Sequence, residues 1–344
     1  MRKDLLPREG QFYRANLHCH STFSDGHLTP AELKKIYMDA GYSVVAFTDH
    51  DVFIPHQELT DDRFLALNGF EVEVDETAEQ AGDMAFRKCF HACFVALDPE
   101  NLNHPLWHRS KYLFGPAKKY RDLVRYDESK PDYERFYTPE CLSDMMRIGR
   151  ENGFFVTYNH PAWSMETGRD YTRYENMNAM EISNYSSLAE GYEENCAYAY
   201  DELLRSGKRI FCISADDNHN HADPDSRFWD SFGGYIQIKA PRLDYKTIAA
   251  ALTAGNFYAS QGPEIQALWF EDGQIHVRCA AADRITANYG IRKAKACYAP
   301  EGGVLTEAAF DVRPEDRYVR VTVYDAAGRR ADTNAYFTDT LFEA

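Results

Sequence analysis

The chain of 344 residues has no surplus of positive charge: 54 acidic residues stand against 38 lysines and arginines, for a formal net charge of −16. Phosphate backbones are held chiefly by excess Lys and Arg, so nucleic acid is excluded as a principal partner and a small molecule is expected. No apolar run reaches the length of about 18 residues that a membrane span requires. Residues 1–11 carry Arg2, Lys3, Asp4, Arg8 and Glu9 and lack the apolar stretch of a secretory signal. No paired cysteine pattern is present either; Cys19, Cys89, Cys93, Cys141, Cys196, Cys212, Cys279 and Cys297 are scattered singly. A cytoplasmic chain with reduced thiols and no membrane partner is the expectation. Cys89 and Cys93 have a spacing that could serve zinc, but their apolar surroundings favour ordinary buried thiols. Internal repeats and low-complexity tracts are also lacking.

What is present is a rhythm of short apolar runs, each followed by a helix-like stretch, from the N-terminus to about residue 262. That is the pattern of repeated β-strand and α-helix units, and the length suits one α/β barrel with a small appendage. The clearest unit is a strand over 12–20, a Ser24-Asp25-Gly26 turn, and a helix entered at Thr29-Pro30-Ala31-Glu32. Thr29 caps it, Pro30 suits its first position and Glu32 completes a capping box. Strands are expected over 44–48, 64–74, 90–97, 154–158, 179–183 and 209–214, and helices over 139–151 and 188–206.

Residues 98–137 break the rhythm with charge, aromatics and proline and are expected to form an insertion over one end of the barrel. Within it Arg109, Lys111, Lys118, Lys119 and Arg121 occur with no acidic neighbour between 104 and 121. They offer a docking patch for an anionic substrate, or simply a solvated face. After Gln261-Gly262-Pro263 the texture changes to short alternating runs over 265–270, 274–278 and 318–324. The chain is therefore divided into an α/β unit, 1–262, and a small β-rich unit, 263–344.

Potential metal ligands recur at the ends of the strands. His18-Cys19-His20 closes the first apolar run, and residues two apart on a strand face the same way, so both imidazoles can reach one ion. Asp25 follows in its turn. The next runs end in Thr48-Asp49-His50-Asp51 and Gly69-Phe70-Glu71; His91 opens another; Asn159-His160-Pro161 and Asp217-Asn218-His219 follow two more. The C-terminal ends of successive strands are where barrel enzymes place their active sites. Unrelated core histidines have no reason to gather there.

This ordered set resembles the PHP (polymerase and histidinol phosphatase) superfamily of metal-dependent phosphoesterases, over about residues 12–262. The resemblance implies a distorted (β/α)7-type barrel holding two or three divalent ions. His18 and His20 would bind a first metal with Glu71 and Asp217, and Asp25, His50 and His219 a second. Glu71, His91 and His160 would bind a third, so Glu71 bridges two. Glu73 would face the same side of its strand and is the alternative bridge, although the Gly-Phe-Glu context favours Glu71. Asp217, not Asp216, has the required spacing to His219. His27, His56, His104, His108, His221 and His276 fall outside the pattern, with His27 and His221 near enough in sequence to support the ligands.

Three divalent ions facing Asp25, Glu71 and Asp217 would leave the cluster positive, which suits a phosphate dianion. The nucleophile is then a metal-bridging water, with no side-chain nucleophile. Asp49 and Asp51 either orient imidazoles or cap turns. Arg169, Arg173 and Arg227, beside the His160 and His219 motifs, are candidates to grip the phosphate. Imidazole and carboxylate donors suit zinc, manganese or iron. Residues 255–263 and Asp325-Ala326-Ala327-Gly328-Arg329 resemble the tail of carbaryl-hydrolase-like PHP proteins, which implies the alternative of carboxylic ester, carbamate or amide hydrolysis. A noncatalytic binding module stabilised by metal is the third reading. The leading expectation is hydrolysis of a phosphate ester of a small metabolite.

Overall fold

The computed structural model describes residues 2–343, so Met1 and Ala344, the outer ends of the two expected units, lie outside the described residues. Ten strands precede residue 262: β1 (Lys3–Asp4), β2 (Gln11–Asn16), β3 (Val44–Phe47), β4 (Leu65–Asp75), β5 (Cys89–Ala96), β6 (Phe154–Tyr158), β7 (Ala179–Asn184), β8 (Phe211–Ala215), β9 (Tyr235–Ala240) and β10 (Phe257–Ser260). Eight follow it: β11 (Ile265–Glu271), β12 (Gln274–Ala282), β13 (Arg284–Tyr289), β14 (Ala294–Tyr298), β15 (Leu305–Asp311), β16 (Tyr318–Tyr324), β17 (Arg330–Thr333) and β18 (Tyr336–Phe337).

The first helix, Pro30–Asp39, begins as its sequence dictates, with the Thr29 side chain accepting from the Glu32 amide and the Glu32 side chain returning to the Thr29 amide. The helix Pro139–Glu151 and the strand Phe154–Tyr158 also lie where the periodicity places them. The expected helix over 188–206 is instead two helices, Tyr185–Glu190 and Ala197–Arg205. Gly191, at φ 103°, ends the first in a left-handed conformation that suits glycine.

One large sheet runs in the order β14-β13-β16-β17-β10-β9-β2-β3-β4-β5-β6-β7-β8, and a second in the order β1-β11-β12-β15. The pairings β2–β3–β4 and β6–β7–β8 are parallel, whereas β5 is antiparallel to both its neighbours, and β9 is antiparallel to β2 and to β10. Two features differ from the expected distorted (β/α)7-type barrel. No long helix separates β4 from β5, because they form an antiparallel hairpin, which needs no crossover. Among the described residues no ladder joins β8 to β9 or β10 to close the curve, although β8 packs beside both.

Alternation along the strands stratifies the interior. Leu65 and Leu67 of β4, Val95 of β5, Phe155 of β6 and Ile213 of β8 share one apolar cluster with Ile236, Ile238 and the helix Tyr245–Ala254. Farther along the same faces stand Glu71, Glu73, His91, Asn159 and Asp217, at the opposite end from that apolar floor. The other faces of β4 to β7 bury Phe70, Val72, Phe94, Val156 and Met180 against the helices Pro139–Glu151 and Ala197–Arg205.

Candidate metal centre

The reversed direction of β5 explains why His91 stands near the start of its strand while His50, His160 and Asp217 follow the ends of theirs; Glu71 lies within β4, which runs on past the centre into the hairpin. An antiparallel strand starts at the rim where its parallel neighbours end, and the register pairs His91 with Glu73 and Cys93 with Glu71. At β2 the alternation slips. Ala15 and Leu17 belong to the apolar floor, yet His18 and His20 also face the centre, because regular pairing ends at Asn16 and the Asn16 side chain turns back to the His18 carbonyl oxygen.

Glu71 lies at the middle of the cluster. Its Oε1 is 3.1 Å from His18 Nε2, 3.2 Å from His91 Nδ1 and 3.6 Å from His160 Nε2. Its Oε2 is 3.2 Å from His20 Nε2 and 3.4 Å from His50 Nδ1. Asp217 Oδ1 stands 3.0 Å from His18 Nε2 and 3.1 Å from His20 Nε2. Asp25 Oδ2 is 3.6 Å from both His50 Nε2 and His219 Nε2. Five groupings of donors follow. Three match the expected sets, namely His18, His20, Glu71 and Asp217, then His20, Asp25, His50 and His219, and then Glu71, His91 and His160; the other two are His18, His160 and Glu181, and Glu73, Cys89 and His91. All nine expected ligands are therefore brought together. Glu73 does face the same side but reaches only the outer nitrogen of His91, at 3.3 Å.

Several observations fit this pocket to cations. Donor atoms about 3 Å apart are what an ion at about 2.1 Å from each gathers around itself. Glu71 Oε2, Asp217 Oδ1, His50 Nδ1 and His91 Nε2 are buried and have no hydrogen-bond partner, which is costly unless another group is to be bound. His18 Nδ1 lies 2.7 Å from Glu181 Oε1, so a proton held there leaves the Nε2 lone pair facing Glu71 and Asp217. The charges point the same way. Burial lowers the His18 imidazole, but Asp217, Cys93 and Glu71 lift it well above the usual range. Burial pushes Glu71 up, but His18, His91 and His50 hold it well below the carboxylate range. Protons occupy the place for which divalent ions would compete.

A supporting set, which the motifs did not reveal, holds these donors in place. Glu181, fully buried, accepts from the His160 amide and from Asn184 Nδ2 as well as facing His18. Asn159 Nδ2 donates to Glu71 Oε1 at 2.9 Å and Asn184 Nδ2 to Asp217 Oδ2 at 3.1 Å. A lone acid inside the otherwise neutral strand 179–184 was the available signal for Glu181. Asp49 does not contact a ligating imidazole; it accepts from the Ser21 and Ser24 amides and hydroxyls and so fixes the turn that carries Asp25. Asp51 instead pairs with buried Arg135 of the insertion, its Oδ2 3.1 Å from Nη1. Asp216 accepts three backbone amides from 232–234 and is pushed up to about 7 by burial. Asp51, His160 and Asp217 have φ of 57°, 25° and 55°, a left-handed conformation that non-glycine residues adopt at a cost.

A cavity of about 540 Å³ opens over the centre, and Phe114 of the insertion lines it. The basic residues of that insertion do not. Arg109 is tied to Asp132 and Lys111 to Glu134, while Lys118 and Lys119 are exposed on a 3-10 turn. Arg169 and Arg173 are likewise exposed and outside the lining, and the Arg227 guanidinium lies over the Phe228 ring at the rim. His221 lines the cavity with its ring 4.1 Å from that of His27, whereas His56, His104, His108 and His276 pack elsewhere. All eight cysteines are free thiols, and Cys93 receives the Asn159 amide. Among the described residues no helix is long and apolar enough to cross a membrane.

No family model and no curated protein matches the chain. Similar solved structures include a two-domain protein containing a predicted PHP-like metal-dependent phosphoesterase from Bacteroides vulgatus. It is 14% identical with a TM-score of 0.45, over 97% of this chain and 90% of that one. An amidohydrolase from Chromobacterium violaceum with bound sulfate and no metal is 17% identical with a TM-score of 0.39, over 60% of this chain and 87% of that one. These likenesses are distant.

Proposed function

We propose that the chain is a metal-dependent hydrolase of the PHP type that cleaves a phosphate ester of a small metabolite. The observation that carries this reading is the convergence of nine buried or half-buried donors, several without a hydrogen-bond partner, at one end of the strands. His18, His20, Glu71 and Asp217 would hold one divalent ion, Asp25, His50 and His219 a second, and Glu71, His91 and His160 a third. Zinc, manganese or iron bound there would supply Lewis acidity to the scissile group and make a nearby water acidic near neutral pH. The chain's own groups do the positioning. Glu181 holds the proton of His18 at Nδ1, Asn159 and Asn184 orient Glu71 and Asp217, and Asp49 fixes the turn bearing Asp25. Phe114 and Trp163 line the opening with their rings beside His50, His91 and His160.

A second reading, cleavage of a carboxylic ester, carbamate or amide, is favoured by the absence of lysine and arginine from the cavity lining. Elemental analysis of the purified protein and of His18→Ala, paired with phosphate release from a metabolite panel, tests the proposal. Two or three metals per chain, lost together with phosphate release in the variant, are expected. A wild-type protein that takes up no metal would sink it; metal uptake with carboxyl ester cleavage and no phosphate release would transfer the assignment to the second reading.

A further inference from the structure

The cavity over the metal centre changes character between floor and rim. Its floor is the donor cluster. Its sides are Phe114 from the insertion, Trp163 from the loop after β6 and Phe228 from the loop after β8, with Ser186 and Ser187 as neutral polar groups. Two of the aromatic rings are locked to the ligands themselves. Trp163 lies with its ring centroid 5.1 Å from His160 and 5.2 Å from His91, and Phe114 lies 4.9 Å from His50. Phe228 is 52% exposed at the mouth of the cavity, with the Arg227 guanidinium 4.9 Å from its ring.

The charged groups that line the cavity beyond the donors and His221 are all acidic, Glu73, Glu190 and Asp230, while Arg227 lies outside the lining with its guanidinium over the Phe228 ring. Asp230 is engaged, accepting from the amides of His219 and Asn220 at 2.7 and 3.0 Å, and Glu73 faces His91. Glu190, at the end of Tyr185–Glu190, is exposed and faces the opening. With cations on the floor, the field is attractive to one anionic group at depth and repulsive to a second at the rim. The aromatic sides meanwhile favour a flat apolar body.

We infer, resting on the hydrolase reading above, that the substrate has a single anionic group, the one that reacts, joined to a neutral flat apolar remainder. An aryl ester is the class that fits. Substrates with a second anion, such as sugar bisphosphates and nucleoside triphosphates, are rejected by the acidic rim.

Calorimetric binding of three phosphonates to the metal-loaded full chain tests this without turnover: phenylphosphonate, propylphosphonate and 4-carboxyphenylphosphonate. Phenylphosphonate is expected to bind roughly 2- to 10-fold more tightly than the propyl compound, the usual strength of an aromatic contact. The added carboxylate is expected to weaken binding at least about 10-fold through like-charge repulsion. Phe228→Ala should narrow the first gap and Glu190→Gln the second, and both side chains are exposed, so neither variant disturbs the core. Equal or tighter binding of the carboxyphenyl or the propyl compound overturns the inference. Its failure is separable from failure of the phosphate reading. If no phosphonate binds but phenyl acetate is cleaved faster than 4-carboxyphenyl acetate, the phosphate reading and the single reacting anion fall together, and only the flat apolar remainder and its rejection of a charge at the rim stand. If no phosphonate binds and phenyl acetate is cleaved no faster, or neither acetate is cleaved, both fall.

Discussion

Glu71 and Glu73 differ by one turn of the β pleat yet should differ sharply in consequence. Glu71 touches five imidazoles from fully buried positions, whereas Glu73 meets one and is partly exposed. Glu71→Gln is expected to strip at least two metals per chain, measured by elemental analysis, while Glu73→Gln keeps its metals; the reverse result would make Glu73 the bridge. The nine donors were legible as candidates in the sequence because most lie in short polar motifs beside an apolar run, and Glu71 and His91 are polar residues set within one. Glu181, Asn159 and Asn184 were not legible as supports, since their role depends on which strands lie side by side. A different buried acid lies outside the centre. Glu166 accepts from the hydroxyls of Tyr137, Tyr158 and Tyr174, but burial outweighs them and pushes it up to about 7 from 4.5. The folded chain therefore keeps this proton where the unfolded chain has released it. The stability that proton confers is complete below pH 4.5 and is lost as pH rises to about 7, a change on the order of 3 kcal/mol. Urea unfolding from pH 4.5 to 7.5 should show Glu166→Gln gaining on the wild type by that order. A difference that does not vary with pH would rule the account out.

At the scale of elements, the site depends on a hairpin and an insertion that composition alone describes poorly. The apolar runs 64–74 and 90–97 were readable as strands, but nothing in either run says that the second runs backwards. Direction follows from the connection, and the intervening segment, with only the four-residue helix Ala78–Ala81 and a short 3-10 turn, carries no crossover helix. The insertion over 98–137 was visible as a break in rhythm, yet Arg109 and Lys111 proved to be tied to Asp132 and Glu134, and Lys118 and Lys119 to lie exposed outside the cavity lining. What docks it is Arg135, which reaches Asp51 beside the His50 ligand while its guanidinium lies 4.3 Å from the Tyr112 ring. Both partners of the pair are nearly inaccessible, with side chains 2% and 3% exposed. Removing one partner of such a pair costs about 3–5 kcal/mol, because the other charge stays buried. Arg135→Ala is expected to lose that much in chemical denaturation and to become sensitive to protease between residues 98 and 137. The double variant with Asp51→Asn should regain part of the stability. Unchanged protease resistance in Arg135→Ala would mean that the apolar contacts of Leu106, Trp107 and Leu113 hold the insertion unaided.

At the scale of the whole molecule, the change of texture after residue 262 was read as a boundary, but the strands cross it. β17 pairs with β10, β16 with β17, and β1 from the N-terminal end joins β11, so the C-terminal strands extend the large sheet and share its edge. Arg320 of β16 makes a buried ion pair with Asp201 at 2.8 Å, and Tyr318 donates to the same acid. One residue has a more specific part. Where no ladder joins β8 to β10, Asn334 spans the gap: its Oδ1 accepts from the Cys212 amide at 3.1 Å, and its Nδ2 donates to the carbonyls of Gly255 and Phe257 at 3.0 Å each. A side chain from the C-terminal segment thus does what a backbone ladder would otherwise do at that seam. The seam matters to function because β8 leads directly into Asp217 and His219, so loosening it should loosen two ligands. Asn334→Ala leaves an amide and two carbonyls unpaired in a buried site, at about 1–3 kcal/mol for each group that water does not reach. A fall of roughly 2–5 kcal/mol in unfolding free energy is expected, accompanied by weaker metal retention under chelator challenge. If stability falls while metal retention is unchanged, the seam is structural only; if neither changes, β8 is held in place by its pairing with β7 and its packing alone.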